Sequence, residues 1–284
     1  MALRINYNLA ASVAQRSLGA SQDNYAKQAE RLATGLRINK AGDDAAGMAV
    51  SERRKNQVRG LNQAARNAQD GISMIQTAEG AMGEAHSILA RMRELAIQAS
   101  NDTVTANDRA NLQVEFSALY SEIDRIASST QFNGTAVLNG ANGNGLKLQI
   151  GANKDSSGDN AITLNISSTS GFQPTMLDAN FTGAGSSITS QSLASGTITV
   201  LDNAVNAVSS ARASLGALQA RLESAGRSIS VAAENAAAAN SRIADTDIAQ
   251  SMSEMVRAQI LQQAGISVLA QANQAPSLVL QLLK

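Results

Sequence analysis

Residues 75–99 read IQTAEGAMGEAHSILARMRELAIQA, and the apolar positions Ile75, Ala78, Met82, Ala85, Leu89, Met92, Ala96 and Ala99 recur by alternating steps of three and four. That alternation holds them on one stripe of an α-helix. Upstream, Leu61, Ala65, Ala68 and Ile72 extend the stripe with one slip of phase. Downstream, Ser100-Asn101-Asp102-Thr103 interrupts it, and Thr105 with Asp108 has the spacing of a capping box. Leu112, Phe116, Leu119, Ile123 and Ile126 then repeat the rule. The spacing predicts a long helix, a loop and a shorter helix.

The second half carries a matching pattern through Val208, Ala211, Leu215, Leu218, Leu222, Ala225, Ile229, Ala232, Ala236, Ala239 and Ile243. This is a coiled-coil seam sustained over several heptads. Each seam is narrow and rich in Ala, so neither is stable alone, and the economical arrangement packs the two halves against each other as antiparallel helices. Between them the period changes from helical to two. Residues 146–150 and 161–166 alternate apolar and polar side chains, and Gly/Asn-rich turns flank them, which predicts a β-hairpin. Residues 182–195 are rich in Gly, Ser and Thr and read as an exposed loop at the tip.

The two extreme ends are stickier than the rest. Ile5, Leu9 and Val13 make a short amphipathic stripe, and Ile248, Met252, Met255, Val256, Ile260, Leu261, Ala264, Val268 and Leu269 make a denser one. A tail this apolar requires a partner: the N-terminal stripe, or other copies of the chain.

Composition narrows the function classes. Of 284 residues only 2% are aromatic and none is Trp, so aliphatic side chains and Ala must fill the interior, as in helices packed along their length. Basic residues number 23 and acidic residues 23. Dense packing of identical copies therefore meets little self-repulsion, and the clustered basic excess of a nucleic-acid binder is missing. There is no cysteine, hence no disulfide or thiolate metal site. Residues 1–8 have no apolar h-region, so no cleavable signal peptide is expected, and no apolar run reaches membrane-spanning length.

Catalytic and metal chemistry find no constellation. His86 is the only histidine, where a helical zinc site needs two, and it falls just off the seam. Asp43-Asp44 before Ala45-Ala46-Gly47 reads as an acidic helix start rather than a catalytic pair. Asp155, Ser157 and Asp159 imitate a calcium loop, but Asn160 and Ile166 stand where Gly and Glu are needed. Arg53-Arg54-Lys55 is a solvated face without interleaved aromatics. No cofactor is expected.

Several strings resemble the bacterial flagellins. They are Leu32-Ala33-Thr34-Gly35-Leu36-Arg37-Ile38-Asn39, Gly42-Asp43-Asp44-Ala45-Ala46-Gly47, Arg66-Asn67-Ala68-Gln69-Asp70-Gly71-Ile72-Ser73 and Gln131-Phe132-Asn133-Gly134. Towards the other end, Arg257-Ala258-Gln259-Ile260-Leu261-Gln262-Gln263-Ala264-Gly265 and Leu269-Ala270-Gln271-Ala272-Asn273-Gln274 are similar to the family's C-terminal signature. The resemblance implies a mainly α fold with a small β-hairpin region: inner-tube segments at 1–40 and 245–284, a helical domain from 41–170 and 194–244, and a short variable surface loop at 171–193. It implies a secreted structural subunit, not an enzyme, that polymerises into the extracellular flagellar filament after export through the type III apparatus. Its implied partners are other copies of itself, an export chaperone, and the filament cap and hook-associated proteins, with no nucleic acid and no membrane insertion. Arg91, Leu95 and Glu115 fall on positions through which Toll-like receptor 5 detects members of the family. A hook–filament junction protein and a secreted coiled-coil adhesin or receptor-binding module are the alternative readings. The polymerisation residues on this reading are Ile5, Leu9, Val13, Met252, Met255, Val256, Ile260, Leu261 and Leu269.

Since residues 183–192 lack periodicity, a small tag inserted there should leave motility intact. Loss of filaments with several unrelated tags would show that the loop is packed.

Overall fold

The three-four stripe becomes the buried seam of a helix 55 residues long, α2 (Ala45–Ala99), in which Ile75, Ala78, Met82, Ala85, Leu89, Met92, Ala96 and Ala99 are all buried. The computed structural model describes residues 8–139, 145–154, 159–164 and 187–282, with side chains to residue 274. Among these, α1 (Leu9–Thr34) precedes α2, and α3 (Ala106–Ser129), α4 (Gln191–Ala244) and α5 (Ile248–Leu282) follow. Two antiparallel strand pairs lie between α3 and α4: β1 (Gln131–Phe132) with β2 (Thr135–Ala136), and β3 (Leu146–Gln149) with β4 (Ala161–Leu164). The chain divides into one compact unit of residues 1–56 with 235–284 and another of residues 57–234.

In the 57–234 unit, α2 and α4 run antiparallel. Arg93 Nε donates to Asp202 Oδ1 at 2.7 Å, Arg212 pairs with Glu79 at 3.6 Å, and Leu222 approaches Gly71, so numbers fall along one helix as they rise along the other. On α4 Ala194, Leu201, Val208, Leu215, Leu222 and Ile229 are buried at an unbroken heptad spacing, with Ala204 buried among them and Ala211 and Leu218 half-buried beside them. Phe116, Ile123 and Ala127 of α3 close the same core. With one aromatic ring among the fully buried large side chains described, this core is built from aliphatic and Met packing, each such side chain worth roughly 1.5–3 kcal/mol when buried.

Two details of phase differ from the sequence reading. Ala64 rather than Ala65 is buried between Leu61 and Ala68, and Ala233 rather than the exposed Ala232 continues the seam of α4. Runs of Ala look alike in sequence, so the neighbouring Ala takes the seam when the helix phase demands it.

Local signals set the boundaries. Thr105 Oγ1 accepts from the Asp108 N–H while Asp108 Oδ2 accepts from the Thr105 N–H, completing the expected capping box of α3. The β3–β4 register pairs Leu146 with Leu164 and Gln149 with Ala161, and Ile162 and Leu164 are the residues it buries. Asn67 Nδ2 donates to the Gln149 carbonyl at 2.9 Å, and Gly71 leaves the space that Leu148 occupies on α2. Two residues of the string at 66–73 thus seat the hairpin. No period-two alternation marks the β1–β2 hairpin, because two-residue strands are too short to show one; its sequence signal is the turn. Its Asn133-Gly134 turn has φ of 49° and 75°, a left-handed pair that these two residue types tolerate best.

The loop expected at 171–193 needs correction at its end. Residues 171–186 lie outside the described part, as do Asp155, Ser157 and Ile166 of the calcium-loop and hairpin readings. α4 already begins at Gln191, with the Ser190 hydroxyl accepting from the Leu193 N–H at 3.3 Å. Ahead of it the Ile188 N–H donates to Gln113 Oε1 at 2.7 Å, and the Ile188 side chain is fully buried. Tag tolerance is therefore no longer expected across residues 187–192.

The division of α3 between a buried and a solvent face can be measured. Phe116→Ala should destabilise by about 3–5 kcal/mol in urea titration, while Val114→Ala, on the solvent side of the same helix, should stay within about 0.5 kcal/mol.

Candidate functional site

The other unit is built around α1 and α5. Asn8 caps α1, its Oδ1 accepting from the Ala11 N–H, and its Nδ2 donates to the Ala272 carbonyl at 2.8 Å. Near the other end Gln28 Nε2 donates to Glu254 Oε2 at 2.7 Å. Between these ties Leu18 lies over Gly265, where an added Cβ would sit 3.4 Å from Leu18 Cδ1. The two helices are antiparallel, and the small residue lets them come close.

Their packing is thin. Across 26 residues α1 buries only Ala14 and Gln28, and the described side chains of α5 bury only Ser251 and Ala258. The large apolar residues face outward: Leu9, Val13, Ile248, Met252, Val256, Ile260, Leu261, Ile266 and Val268 are all exposed. On α5, Ile248, Met252, Val256 and Ile260 follow each other at four-residue steps and make one continuous stripe, 53, 43, 45 and 59% exposed. An open groove of about 690 Å³ runs between the helices, lined by Leu9, Val13, Leu18, Leu261, Ala264 and Val268.

Of the residues expected from sequence to carry polymerisation, Leu9, Val13, Met252, Val256, Ile260 and Leu261 are exposed, Met255 and Leu269 are half-buried, and Ile5 lies outside the described residues. Ile266 escapes the sequence reading, because it departs from the three-four stripe and only the two-helix geometry exposes it.

A clasp ties the α1–α2 connection to the α4–α5 connection. Gly35, at φ 72°, ends α1, and its N–H reaches the Arg31 carbonyl. The Arg37 N–H donates to the Ala244 carbonyl at 2.7 Å, the Thr246 N–H to the Gly35 carbonyl at 3.0 Å, and Arg37 Nη2 to the Ile243 carbonyl at 2.7 Å. The Asp43-Asp44 pair divides its work. Asp44 accepts from the Gly47 N–H at 2.8 Å and starts α2, as an acidic helix start should. Asp43 instead accepts from the Asn39 and Lys40 N–H groups at 3.2 Å and pairs with Lys27 at 2.8 Å. The Lys27 contact first, then those two backbone donors, lower the Asp43 carboxyl pKa to about 2. Gly47 leaves room beside this loop for the Asp44 carboxylate and for Ile38, whose Cδ1 would lie 2.8 Å from a Cβ built there.

The third set of residues identified from sequence behaves unevenly. Arg91 on α2 donates to Glu115 on α3 at 2.9 Å and to Glu94 at 3.0 Å, and these hydrogen bonds, Glu115 first, raise the guanidinium pKa. Arg91 and Glu115 are 51 and 45% exposed in their side chains, whereas Leu95 is 1% exposed and belongs to the core. Direct contact through Leu95 is thereby closed. His86 lies half-buried on the flank of the seam. Among the described residues no group of three or more His, Cys, Asp or Glu is placed to hold a metal, and no helix is long and apolar enough to cross a membrane.

Among known proteins, the family model described as the bacterial flagellin N-terminal helical region matches residues 5–143, and the bacterial flagellin C-terminal helical region matches residues 198–283. The chain is 48% identical to a flagellin of Halalkalibacterium halodurans over 99% of both chains. It is 43% identical to a flagellin of Bacillus subtilis, covering 99% of this chain and 100% of that one. The crystal structure of Bacillus cereus flagellin is 31% identical with a TM-score of 0.46, covering 58% of this chain and 88% of that one.

The clasp generates a pH prediction. A carboxyl held below its ordinary range stabilises the fold above about pH 4 and loses that contribution as pH falls through its folded value of about 2. Asp43→Asn should therefore lower the urea midpoint at pH 7 and flatten its decline between about pH 4 and 2. Parallel curves for the two proteins would show that Asp43 does not hold the clasp.

Proposed function

The chain belongs to the bacterial flagellins, and on that premise we propose that the exposed apolar faces of α1 and α5 are its polymerisation surface. Flagellins are structural subunits that self-assemble into the extracellular flagellar filament that serves swimming, and they are not enzymes. What supports the surface is the inversion of its packing: α1 and α5 bury alanine and short polar groups and leave Leu9, Val13, Met252, Val256, Ile260 and Leu261 to solvent. Ordering a backbone costs roughly 1–2 kcal/mol per residue, which so thin an interface does not recover. Neighbouring subunits supply the missing contacts, and apolar burial at about 25 cal/mol per Å² then offsets the ordering. Folding of the ends and assembly are one event on this reading.

The same exposed surface has to be covered before assembly. An export chaperone seated on α5 does so, and the cap and hook-associated proteins meet subunits through the same terminal helices at the filament's ends. Residues 1–40 and 245–284 serve as the inner-tube segments.

Recognition by Toll-like receptor 5 is carried on this reading by Arg91 and Glu115, the exposed members of the trio, with Leu95 supporting the helix from beneath. The packed core around Leu95 explains why a hydrophobic residue stands there without any receptor.

Deleting residues 248–284 should leave a soluble, partly helical monomer that fails to elongate short filament seeds in sedimentation, while the full chain elongates them. Elongation by the truncated chain would remove the proposed surface. Arg91→Ala or Glu115→Ala should weaken receptor signalling by the monomer with little change in its thermal midpoint, since that pair is solvent-exposed. Undetectable signalling by the unmodified monomer would remove the receptor reading.

A further inference from the structure

The described methionines differ in their exposure. In the 57–234 unit Met74, Met82 and Met92 are at most 6% exposed, sealed within the core. On α5 Met252 is 43% exposed, between Ile248 and Val256 in the apolar stripe, and Met255 beside it is half-buried. Met48 is half-buried as well. Among the described residues Met252 is the methionine most open to solvent, and it stands on a face that has to be dry after assembly.

We propose that Met252 is an oxidation site through which a peroxide controls whether the free subunit can polymerise, a role that rests on the polymerisation surface assigned to α5. The Met252 Sδ lone pair attacks one oxygen of hydrogen peroxide, the S–O bond forms as the O–O bond breaks, and the departing hydroxide takes the proton of the transferred O–H to leave as water. The sulfur loses two electrons and the peroxide gains them. The product is a sulfoxide, a polar and chiral group in place of a soft apolar one. Set between Ile248 and Val256, its oxygen would enter an apolar contact without a hydrogen-bond donor, and burying such a group unpaired is unfavourable. Incorporation into a filament hides Met252 beneath neighbouring subunits, so the switch acts on the subunit before assembly and not after. It is also reversible, because sulfoxide reductases restore the thioether.

The test uses the full-length chain, hydrogen peroxide as oxidant, peptide mass spectrometry to locate sulfoxide, and seeded elongation as readout. Met252 should gain sulfoxide before Met74, Met82 and Met92, and the oxidised monomer should elongate seeds roughly tenfold more slowly or worse. Treatment with a methionine sulfoxide reductase should restore the rate. Met252→Leu should keep its own untreated elongation rate after peroxide, whatever that rate is, and a Met252→Leu, Met255→Leu double variant separates any share due to Met255. Met252 in preassembled filaments should stay reduced under the same treatment. Unchanged elongation by monomer carrying Met252 sulfoxide, or equal inhibition of Met252→Leu by peroxide, overturns the inference. Failure of untreated protein to elongate seeds would instead sink the polymerisation reading beneath it.

Discussion

Apolar surface that one chain cannot cover by itself organises this molecule. In the 57–234 unit the demand is met internally, since the stripes of α2, α3 and α4 converge on one core and large side chains such as Phe116, Leu89, Met92, Ile123 and Leu201 lose nearly all contact with water. In the unit containing the ends it is not. Among the described residues there, the buried apolar ones are Ala14, Ile38, Ala236, Ala244 and Ala258, while most Leu, Ile, Val and Met side chains of α1 and α5 stand outside. Alanine burial is too small to hold two long helices together, whereas the exposed stripe is well suited to holding many copies.

The polar contacts fit that division. Asn8 with Ala272 and Gln28 with Glu254 set the register of α1 on α5 without adding much apolar contact. The clasp around Gly35, Arg37, Ala244 and Thr246 fixes where each end leaves its long helix, and Asp43 pins the loop through Lys27 and two backbone amides. Register and direction are thus specified within the subunit, and on the proposed reading the energy of holding the ends is supplied by the assembly. Such a subunit can be kept unassembled until a growing end is available.

The long seams were legible because a three-four alternation sustained over many turns fits a helix and little else, and the capping box at Thr105 and Asp108 marked a boundary to the residue. Within runs of Ala the phase was not legible, since Ala64 and Ala65, or Ala232 and Ala233, differ only in which way the helix turns them. The start of α4 was hidden because Gln191, Ser192, Ser195 and Gly196 look like loop in isolation, and helix there depends on the Ser190 cap and the buried Ile188. Among the site residues, the stickiness of the ends could be read from composition and spacing. The burial of Leu95 and the exposure of Ile266 could not, because both depend on which neighbour each helix face meets.

If the terminal helices become stable only by burying their apolar faces on neighbouring copies, their backbone amides must report it. Hydrogen–deuterium exchange of free subunit and filament, resolved by peptide, reads those amides. Amides of α1 and α5 should exchange rapidly in the free subunit and be strongly protected in the filament, while the α2 and α4 seam is protected in both. Equal protection of α1 and α5 before and after assembly would contradict that dependence.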